Sequence, residues 1–292
     1  MKILLTGKNG QVGWELQRTL SVTGNVVALD SSELNLADPA AIVRVIREVK
    51  PDLIVNPAAY TAVDKAESEP ELAMAINGTA PGILAEEAAR LGAALIHFST
   101  DYVFNGEKRG AYAETDAGCP LNVYGRSKLA GEHAIAAAGC RHLILRTSGV
   151  YGTRGRNFML TMLRLMREKQ QVSVVADQRG TPSWSRWLAE AVTFMLASRH
   201  LQDLPSEDGI YHLTPAGDAT WYELACAIKR AMVCPAEVLA IASSQYPSPV
   251  LRPQNSVLLG DKVEHEFGLH RPNWKYLLDL CLTDISAALV KG

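Results

Sequence analysis

One stretch near the start of the chain decides the fold, and it reads Ile3-Leu4-Leu5-Thr6-Gly7-Lys8-Asn9-Gly10-Gln11-Val12-Gly13. The apolar residues that precede the first glycine are typical of a short buried strand. The residues that follow the loop repeat apolar side chains at helical spacing, at Val12, Leu16 and Leu20. The stretch therefore predicts a strand, a glycine-rich turn and a helix in succession.

The three glycines, Gly7, Gly10 and Gly13, each have a distinct use in such a turn. The first permits a tight turn with positive φ, the second lets the backbone approach a pyrophosphate, and the third lets the helix lie close to the strand. The helix that follows presents free N–H groups and a positive dipole end to phosphate. A second strand, residues 26–30, ends in Asp30, a position suited to a ribose 2′-hydroxyl. The sequence thus predicts a dinucleotide site.

Strands and helices alternate through the first half of the chain. Further strands are predicted at 53–56, 95–100 and 142–147, and helices at 39–50, 66–92 and 123–138. The helical tract over 66–92 contains two prolines, so we expect two pieces or a kink. This alternation predicts an α/β fold with a doubly wound parallel sheet of the Rossmann type.

The second half is less regular and predicts a smaller C-terminal lobe for the substrate. We expect residues 1–150 to form the dinucleotide-binding domain, with 177–210 joining it. Residues 151–176 and 211–292 would form the substrate-binding lobe. These boundaries rest on the periodicity of the apolar residues.

The composition and charge of the chain argue against some classes of protein. The 292 residues, 48% hydrophobic and 21% charged, are typical of a globular protein with ample core. A net charge of −2 gives no reason to expect nucleic acid or an anionic membrane as a partner. Because no apolar run has the ~18 residues of a membrane span and no signal peptide is evident, we expect a cytoplasmic protein. Five cysteines without a CxxC pair fit reduced thiols.

Tyr124 and Lys128 lie four residues apart on a predicted helix, so they share one face. That helix follows the strand that ends at Thr100, and ligands of such sheets bind outside the carboxyl ends of strands. The three side chains are therefore expected to meet beside the cofactor. An ammonium near a tyrosine lowers its pKa, which would suit Tyr124 to donate a proton to a carbonyl oxygen while hydride reaches the carbon.

Together these motifs resemble the extended short-chain dehydrogenase/reductase superfamily. Four segments are similar to the dTDP-4-dehydrorhamnose reductase family, and they read AVDKAE at 62–67, FSTDYVF at 98–104, PLNVYG at 120–125 and RPQNS at 252–256. The resemblance runs over nearly the whole chain. It implies reduction of the 4-keto group of dTDP-4-dehydro-L-rhamnose to dTDP-L-rhamnose, a precursor of bacterial surface polysaccharide, with NADH or NADPH as cofactor.

The resemblance also implies roles for particular residues. Tyr124 would donate the proton with Lys128 as its partner, and Thr100 would hydrogen-bond the keto oxygen, beside Asp101. The cofactor would be held by Gly7, Gly10, Gln11, Val12 and Gly13 at the pyrophosphate, Asp30 at the adenosine ribose, Asn35 and Leu36 at the adenine, and Ala59, Tyr60 and Thr61 towards the nicotinamide, where Tyr124 and Lys128 complete the set.

The cofactor and metal requirements are only partly set by the sequence. Asp30 favours the free ribose hydroxyl and repels a 2′-phosphate, whereas Lys8 offers a compensating cation. We therefore expect NADH to be used well and NADPH to be tolerated. The resemblance implies dependence on Mg²⁺, but no carboxylate cluster identifies a metal site by its spacing. Formation of a homodimer is left open.

Two residues bear on the substrate. Arg252 lies in a proline-rich segment and is suited either to bind the diphosphate of a dTDP-sugar or to tie this segment to the lobe. Gly149 stands where related reductases commonly carry tryptophan. That departure leaves three outcomes open: weaker sugar binding, a filling side chain such as Trp184, or a bulkier sugar.

Two other functions compete with the reductase. One is a non-catalytic subunit like the regulatory subunit of methionine adenosyltransferase, which shares the fold and binds a partner enzyme. The other is a nucleotide-sugar epimerase, which would retain NAD and need no added reductant. The intact set of Thr100, Tyr124 and Lys128 favours an enzyme.

Overall fold

The structure, a computed structural model, describes residues 1–290, and of residues 287–290 it describes the backbone alone. The described strands are β1 (Lys2–Leu5), β2 (Asn25–Ala28), β3 (Leu53–Asn56), β4 (Ala94–Thr100), β5 (Arg141–Thr147), β6 (Val150–Tyr151), β7 (Gln171–Val175), β8 (Arg179–Gly180), β9 (Ser183–Trp184), β10 (Ile210–His212), β11 (Ala219–Thr220) and β12 (Glu237–Ile241). Six of them form the central sheet, and the others pair two by two.

The helices are α1 (Gln11–Thr19), α2 (Pro39–Val49), α3 (Val63–Ala66), α4 (Pro70–Met74), α5 (Ala80–Leu91), α6 (Val123–Ala137), α7 (Phe158–Glu168), α8 (Ser185–Ser198), α9 (Trp221–Met232), α10 (Asp261–Phe267) and α11 (Trp274–Val290). The tract expected over 66–92 is interrupted, as its prolines predict. Pro70 begins α4 and Pro81 lies in the first turn of α5, where a missing N–H costs little. One π-helical turn, Ala75–Thr79, joins the two helices.

The central sheet is parallel throughout, in the order β2-β1-β3-β4-β5-β10. The chain moves outwards from β1 to β2 and then crosses to β3 on the other side of β1. The winding therefore reverses between β1 and β3, and a crevice opens at the carboxyl ends of these strands. The predicted doubly wound parallel α/β fold is confirmed.

The strands of the central sheet are buried over most of their length because helices cover both faces of the sheet. Alternate residues of β1 show this: Ile3 and Leu5 belong to one core cluster and Leu4 to the other. The first cluster includes side chains of α1, α7, α8 and the C-terminal lobe, and the second includes those of α2 and α5. No helix in residues 1–290 is both long and apolar enough to cross a bilayer.

The part of the chain predicted as the C-terminal lobe contains a parallel pair, β7 with β12, beside α7 and α9. The sequence predicted β7 but not β12. The strand Ile210–His212 pairs with β5 and so extends the central sheet, just across the boundary placed at residue 210. The division into a dinucleotide-binding domain and a substrate lobe stays a prediction, and its last two residues lie outside the described part of the chain.

A buried ion pair fixes α6 on the sheet. Arg146 of β5 donates to both carboxylate oxygens of Glu132 on α6, with a shortest N–O distance of 2.6 Å. Ser99 of β4 also donates to this carboxylate. The pair is almost fully buried, with Arg146 3% and Glu132 2% exposed. Removing one partner leaves a charge without compensation in the interior.

We predict that Glu132→Gln lowers the free energy of unfolding by about 3–5 kcal/mol, because the Arg146 guanidinium stays buried without its counter-ion. Urea denaturation followed by circular dichroism measures this change. The matched control is Glu168→Gln, which makes the same chemical change in an exposed pair with Arg164. That control should lower the free energy of unfolding by less than about 1 kcal/mol. Equal losses in the two variants would contradict the role given to burial.

Candidate active site

The glycine-rich loop connects β1 to α1, and its backbone is packed too closely for side chains at some positions. Gly7 has a φ of +61°, and its carbonyl accepts from the Gly10 N–H at 2.9 Å. A Cβ added at Gly13 would lie 2.1 Å from the Gly7 carbonyl oxygen, so only glycine fits there. No side chain caps the N-terminus of α1. Its first N–H groups are therefore available to an external anion.

A cavity of about 540 Å³ opens over this loop, and we call it the glycine-loop cavity. Its lining includes nearly all residues that the resemblance assigned to a cofactor: Gly7, Gly10, Gln11, Val12, Gly13, Asp30, Asn35, Leu36, Ala59, Thr61, Tyr124 and Lys128. These residues come from the ends of β1, β2 and β3 and from α6. The winding of the sheet, rather than proximity in sequence, brings them together.

Asp30 lies at the outer end of the glycine-loop cavity in a network of polar groups. One of its oxygens accepts from the backbone and hydroxyl of Ser32, at 2.9 and 2.6 Å, and the other accepts from Asn9 at 2.9 Å. The Ser32 hydrogen bonds are the main cause of its lowered pKa. Lys8 lies 3.8 Å from this carboxylate and is paired with Glu33. An acid and a cation therefore stand side by side where a ribose would bind.

Tyr60 is held by a residue that the sequence analysis missed. The Asn77 side chain accepts from the Tyr60 N–H at 2.8 Å and donates to the Tyr60 carbonyl at 3.0 Å. It also donates to Ser127 of α6 at 3.1 Å. Asn77 is buried in the π-helical turn, a distortion that frequently marks functional sites. In the sequence, the signal for Asn77 was a single amide side chain within an otherwise apolar helical stretch.

A second cavity, of about 370 Å³, lies between the sheet edge and the C-terminal lobe, and we call it the lobe cavity. Thr100, Asp101, Tyr124 and Gly149 are in its wall. Its wall is completed by side chains to which the sequence analysis gave no role, namely Arg156, Phe158, Gln178, Arg179, Thr181, Trp221, Leu224 and Ser256. Only the folded chain brings these together with the sheet edge.

Tyr124 belongs to the walls of both cavities. Burial raises its pKa to about 12, and hydrogen bonding by Thr100 offsets part of that shift. Its ring also meets Tyr102 edge to face, with centroids 5.7 Å apart. At neutral pH the hydroxyl therefore carries its proton.

Thr100 and Asp101 form one polar unit beside Tyr124. The Thr100 hydroxyl donates to the Asp101 carboxylate at 3.0 Å, and Ser148 donates to the same carboxylate at 2.8 Å. Burial raises the pKa of Asp101, which these hydrogen bonds partly counter. The carboxylate thereby fixes the orientation of the threonine hydroxyl.

Lys128 is buried and points towards β4. Its Nζ donates to the Phe98 carbonyl at 2.6 Å and lies 3.0 Å from Nε2 of His97. Burial lowers its pKa to about 8, against the opposing effect of Glu132. The sequence predicted that this ammonium lowers the pKa of Tyr124. In the structure Lys128 points towards β4, and burial raises the pKa of Tyr124.

Arg252 is placed differently from the other predicted residues. Its guanidinium bonds Asp64 at 2.6 Å and the Ser248 hydroxyl. Among the described residues, the lining of the lobe cavity includes Pro253 but not Arg252. This placement favours the interpretation in which Arg252 ties the proline-rich segment to the rest of the protein.

The backbone at Gly149 explains its lack of a side chain. Its φ is +54°, a left-handed conformation that favours glycine, and a Cβ would lie 3.3 Å from the Pro182 Cα. Trp184, which the sequence offered as a filling residue, is buried in the core cluster. The indole that lines the lobe cavity belongs to Trp221, which packs against Phe158 at 4.8 Å between ring centroids.

The described residues contain no group of three or more His, Cys, Asp or Glu side chains arranged to hold a metal ion. The magnesium dependence implied by the resemblance therefore gains no support from the structure.

The glycine-loop cavity, by contrast, fits a dinucleotide: it has a close-packed glycine turn, uncapped N–H groups and an acid at its far end.

Comparison with known proteins places the chain in a family. The model of the RmlD substrate binding domain matches residues 1–287. The chain is 44% identical over 295 residues to a dTDP-4-dehydrorhamnose reductase from Burkholderia thailandensis, with 98% of this chain and 99% of that protein covered.

Solved structures agree with this assignment. A dTDP-4-dehydrorhamnose reductase from Clostridium acetobutylicum matches with a TM-score of 0.92 at 35% identity, covering 98% of this chain and 100% of that one. One from Bacillus anthracis, in complex with NADP, matches with a TM-score of 0.89 at 32% identity, covering 97% and 99%. The chain therefore belongs to the RmlD family, that of the dTDP-4-dehydrorhamnose reductases.

Proposed function

We propose that this protein reduces the 4-keto group of dTDP-4-dehydro-L-rhamnose to give dTDP-L-rhamnose, with a reduced nicotinamide cofactor. The observation that carries the proposal is the position of Tyr124, which lies in the wall of both cavities. A cofactor in one cavity and a sugar in the other would meet at its hydroxyl. The names of the relatives identify the substrate, and the NADP complex of the Bacillus anthracis reductase supports the cofactor.

A bound nicotinamide supplies the hydride in this chemistry. The chain supplies the proton, which the Tyr124 hydroxyl transfers to the oxygen at C4 of the sugar as that oxygen gains charge. Thr100 orients the same oxygen, because its hydroxyl can donate to that oxygen instead of to the Asp101 carboxylate. Phe158 and Trp221 offer apolar surface in the wall of the lobe cavity and exclude water around the reacting groups.

The decisive assay measures consumption of NADH or NADPH against dTDP-4-dehydro-L-rhamnose. A reductase consumes one equivalent of reductant for each equivalent of sugar reduced. An epimerase would turn over without added reductant, and a regulatory subunit would consume none. Either of these two results would overturn the proposed function.

We expect Tyr124→Phe to reduce kcat by roughly 10²-fold or more, because a positioned proton donor contributes about that factor. Cofactor affinity, measured by fluorescence titration with NADPH, should change little because the ring is retained. The matched control is Tyr211→Phe, which removes the hydroxyl of a buried tyrosine that bonds Glu266 outside both cavities. Normal turnover in Tyr124→Phe would exclude this tyrosine as the proton donor.

Cofactor preference should depend on the balance between Asp30 and Lys8. Asp30→Ala removes the charge that repels a 2′-phosphate, so kcat/KM should shift towards NADPH. Lys8→Ala removes the nearby cation and should shift it towards NADH. We expect changes of roughly fivefold or less in opposite directions, since charge interactions at exposed sites are weak. Shifts of both variants in the same direction would mean that these groups do not select the phosphate.

The substrate diphosphate should depend on Arg156 rather than Arg252. Arg156 is exposed and lines both cavities, and arginine binds phosphate through several hydrogen bonds. Arg156→Ala should therefore raise the KM for the dTDP-sugar by about tenfold or more, since a hydrogen bond to a charged group is worth about 1.5–3 kcal/mol. Arg252→Ala should lower the melting temperature and leave that KM within about threefold of wild type. The reverse pattern would restore Arg252 as the phosphate ligand.

A further inference from the structure

A buried chain of hydrogen bonds runs beneath Lys128 to the glycine-rich loop. Nζ of Lys128 lies 3.0 Å from Nε2 of His97, and Nδ1 of His97 lies 3.0 Å from the Asn56 amide nitrogen. The Asn56 amide oxygen accepts from the hydroxyl of Thr6, the residue before Gly7, at 2.6 Å. All four side chains are at most 2% exposed. These side chains connect the end of β1 with β3, β4 and α6, and Thr6 and Lys128 at the two ends line the glycine-loop cavity.

The positions of the hydrogens along this chain of hydrogen bonds depend on the charge of Lys128. With the Asn56 amide nitrogen towards Nδ1, that ring atom accepts, so a neutral imidazole carries its hydrogen on Nε2. This hydrogen points at Lys128, which can receive it only as a neutral amine. Burial lowers the pKa of His97 well below its ordinary value, so the ring does not take a second proton.

The opposite arrangement suits a charged Lys128. If the Asn56 amide turns over, its oxygen accepts from Nδ1–H, and Nε2 is free to accept from the ammonium. The two ends of an amide have nearly the same shape, so this rotation changes no packing. Thr6 fits both arrangements because a hydroxyl can either donate to the amide oxygen or accept from the amide nitrogen.

We propose that His97 and Asn56 are positioning residues that set the charge of Lys128 through the tautomer of the imidazole. The Nδ1–H tautomer holds the lysine as an ammonium, and the Nε2–H tautomer holds it neutral. The consequence for turnover rests on the proposed function, whereas the link between tautomer and charge does not. Two hydrogen-bond partners, Phe98 and His97, thus hold the lysine beneath the nicotinamide end of the glycine-loop cavity.

The other charged or titratable groups around this lysine do not replace His97 in that role. Glu132, one turn further along α6, raises the pKa of Lys128 but is itself paired with Arg146 of β5. Tyr124, one turn earlier, carries its proton at neutral pH. Asp101 acts on Tyr124 and receives its hydrogen bonds from Thr100 and Ser148.

The first experiment follows the His97 tautomer in wild-type protein by nitrogen NMR with labelled histidine. The chain has seven histidines, and the spectrum of His97→Gln identifies the signal of this ring. We expect a change from Nδ1–H to Nε2–H as pH rises, centred near the pKa of about 8 that Lys128 has in the fold, with the ring neutral throughout. One fixed tautomer across roughly two pH units on either side, or a doubly protonated ring, would overturn the proposal.

The second experiment compares two amide substitutions at this position. The Gln amide of His97→Gln reaches the place of Nε2, so it can accept from Lys128, whereas the shorter side chain of His97→Asn reaches only the place of Nδ1. Losing the acceptor destabilises the ammonium, so its charge is lost at lower pH. The family resemblance makes Lys128 the partner of Tyr124 in proton transfer, so loss of its charge should lower kcat. The alkaline limb of kcat in His97→Asn should therefore move down by about one to two pH units, the worth of a hydrogen bond to a charged group. His97→Gln should keep the wild-type limb.

Melting temperature and the Kd of NADPH, measured for both variants, separate this effect from misfolding or cofactor loss. A wild-type pH profile in His97→Asn, or equal shifts in the two variants, would refute the positioning role. If wild-type protein does not reduce dTDP-4-dehydro-L-rhamnose, the proposed function fails. The NMR titration would still decide whether the tautomer follows the charge of Lys128.

Discussion

The buried pair between Arg146 and Glu132 fixes the helix on which the rest of the active site depends. It anchors α6 to β5, while Ser99 adds β4 to the same carboxylate. Glu132 lies one helical turn beyond Lys128, which itself lies one turn beyond Tyr124. A rigid anchor within this helix therefore determines the position of both side chains to a fraction of a turn. Burial makes the anchor costly to break, and the same burial shifts the pKa values of the two residues it positions.

Local signals in the sequence predicted the sheet and the glycine-rich loop well. The strands β1 and β3 contain short apolar runs, since both faces of the sheet are covered, and Asp38 caps α2 through the N–H groups of Ala40 and Ala41. Strands of two residues, such as β6, β9 and β11, are too short to show an apolar pattern in the sequence. They form because of tertiary contacts. The strand β12 was missed for a related reason: it pairs with β7, which lies over sixty residues earlier.

The candidate site shows the same division between local and tertiary information. Residues next to strand ends, such as Asp30 and Thr100, could be located from the winding rule alone. The positions of Asn77 and Trp221 could not, because their importance arises from which elements pack against them. His97 illustrates the limit most clearly. Its place in an apolar strand suggests only a packed residue, because the hydrogen bond to Lys128 depends on how closely α6 approaches β4.

The side of the site that faces the sugar is less constrained by the sheet than the side that faces the cofactor. Gly149 lies at the turn after β5, where its positive φ excludes an ordinary side chain without strain. Apolar cover must then come from the lobe, and Phe158 and Trp221 supply it from the starts of α7 and α9. Under the proposed function, selectivity for the sugar would depend on how Phe158 and Trp221 pack over the sheet edge, whereas selectivity for the cofactor would depend on Lys8 and Asp30 in the loops after β1 and β2. Substitutions at Phe158 and Trp221 would then alter the choice of sugar and leave the proposed proton transfer from Tyr124 in place.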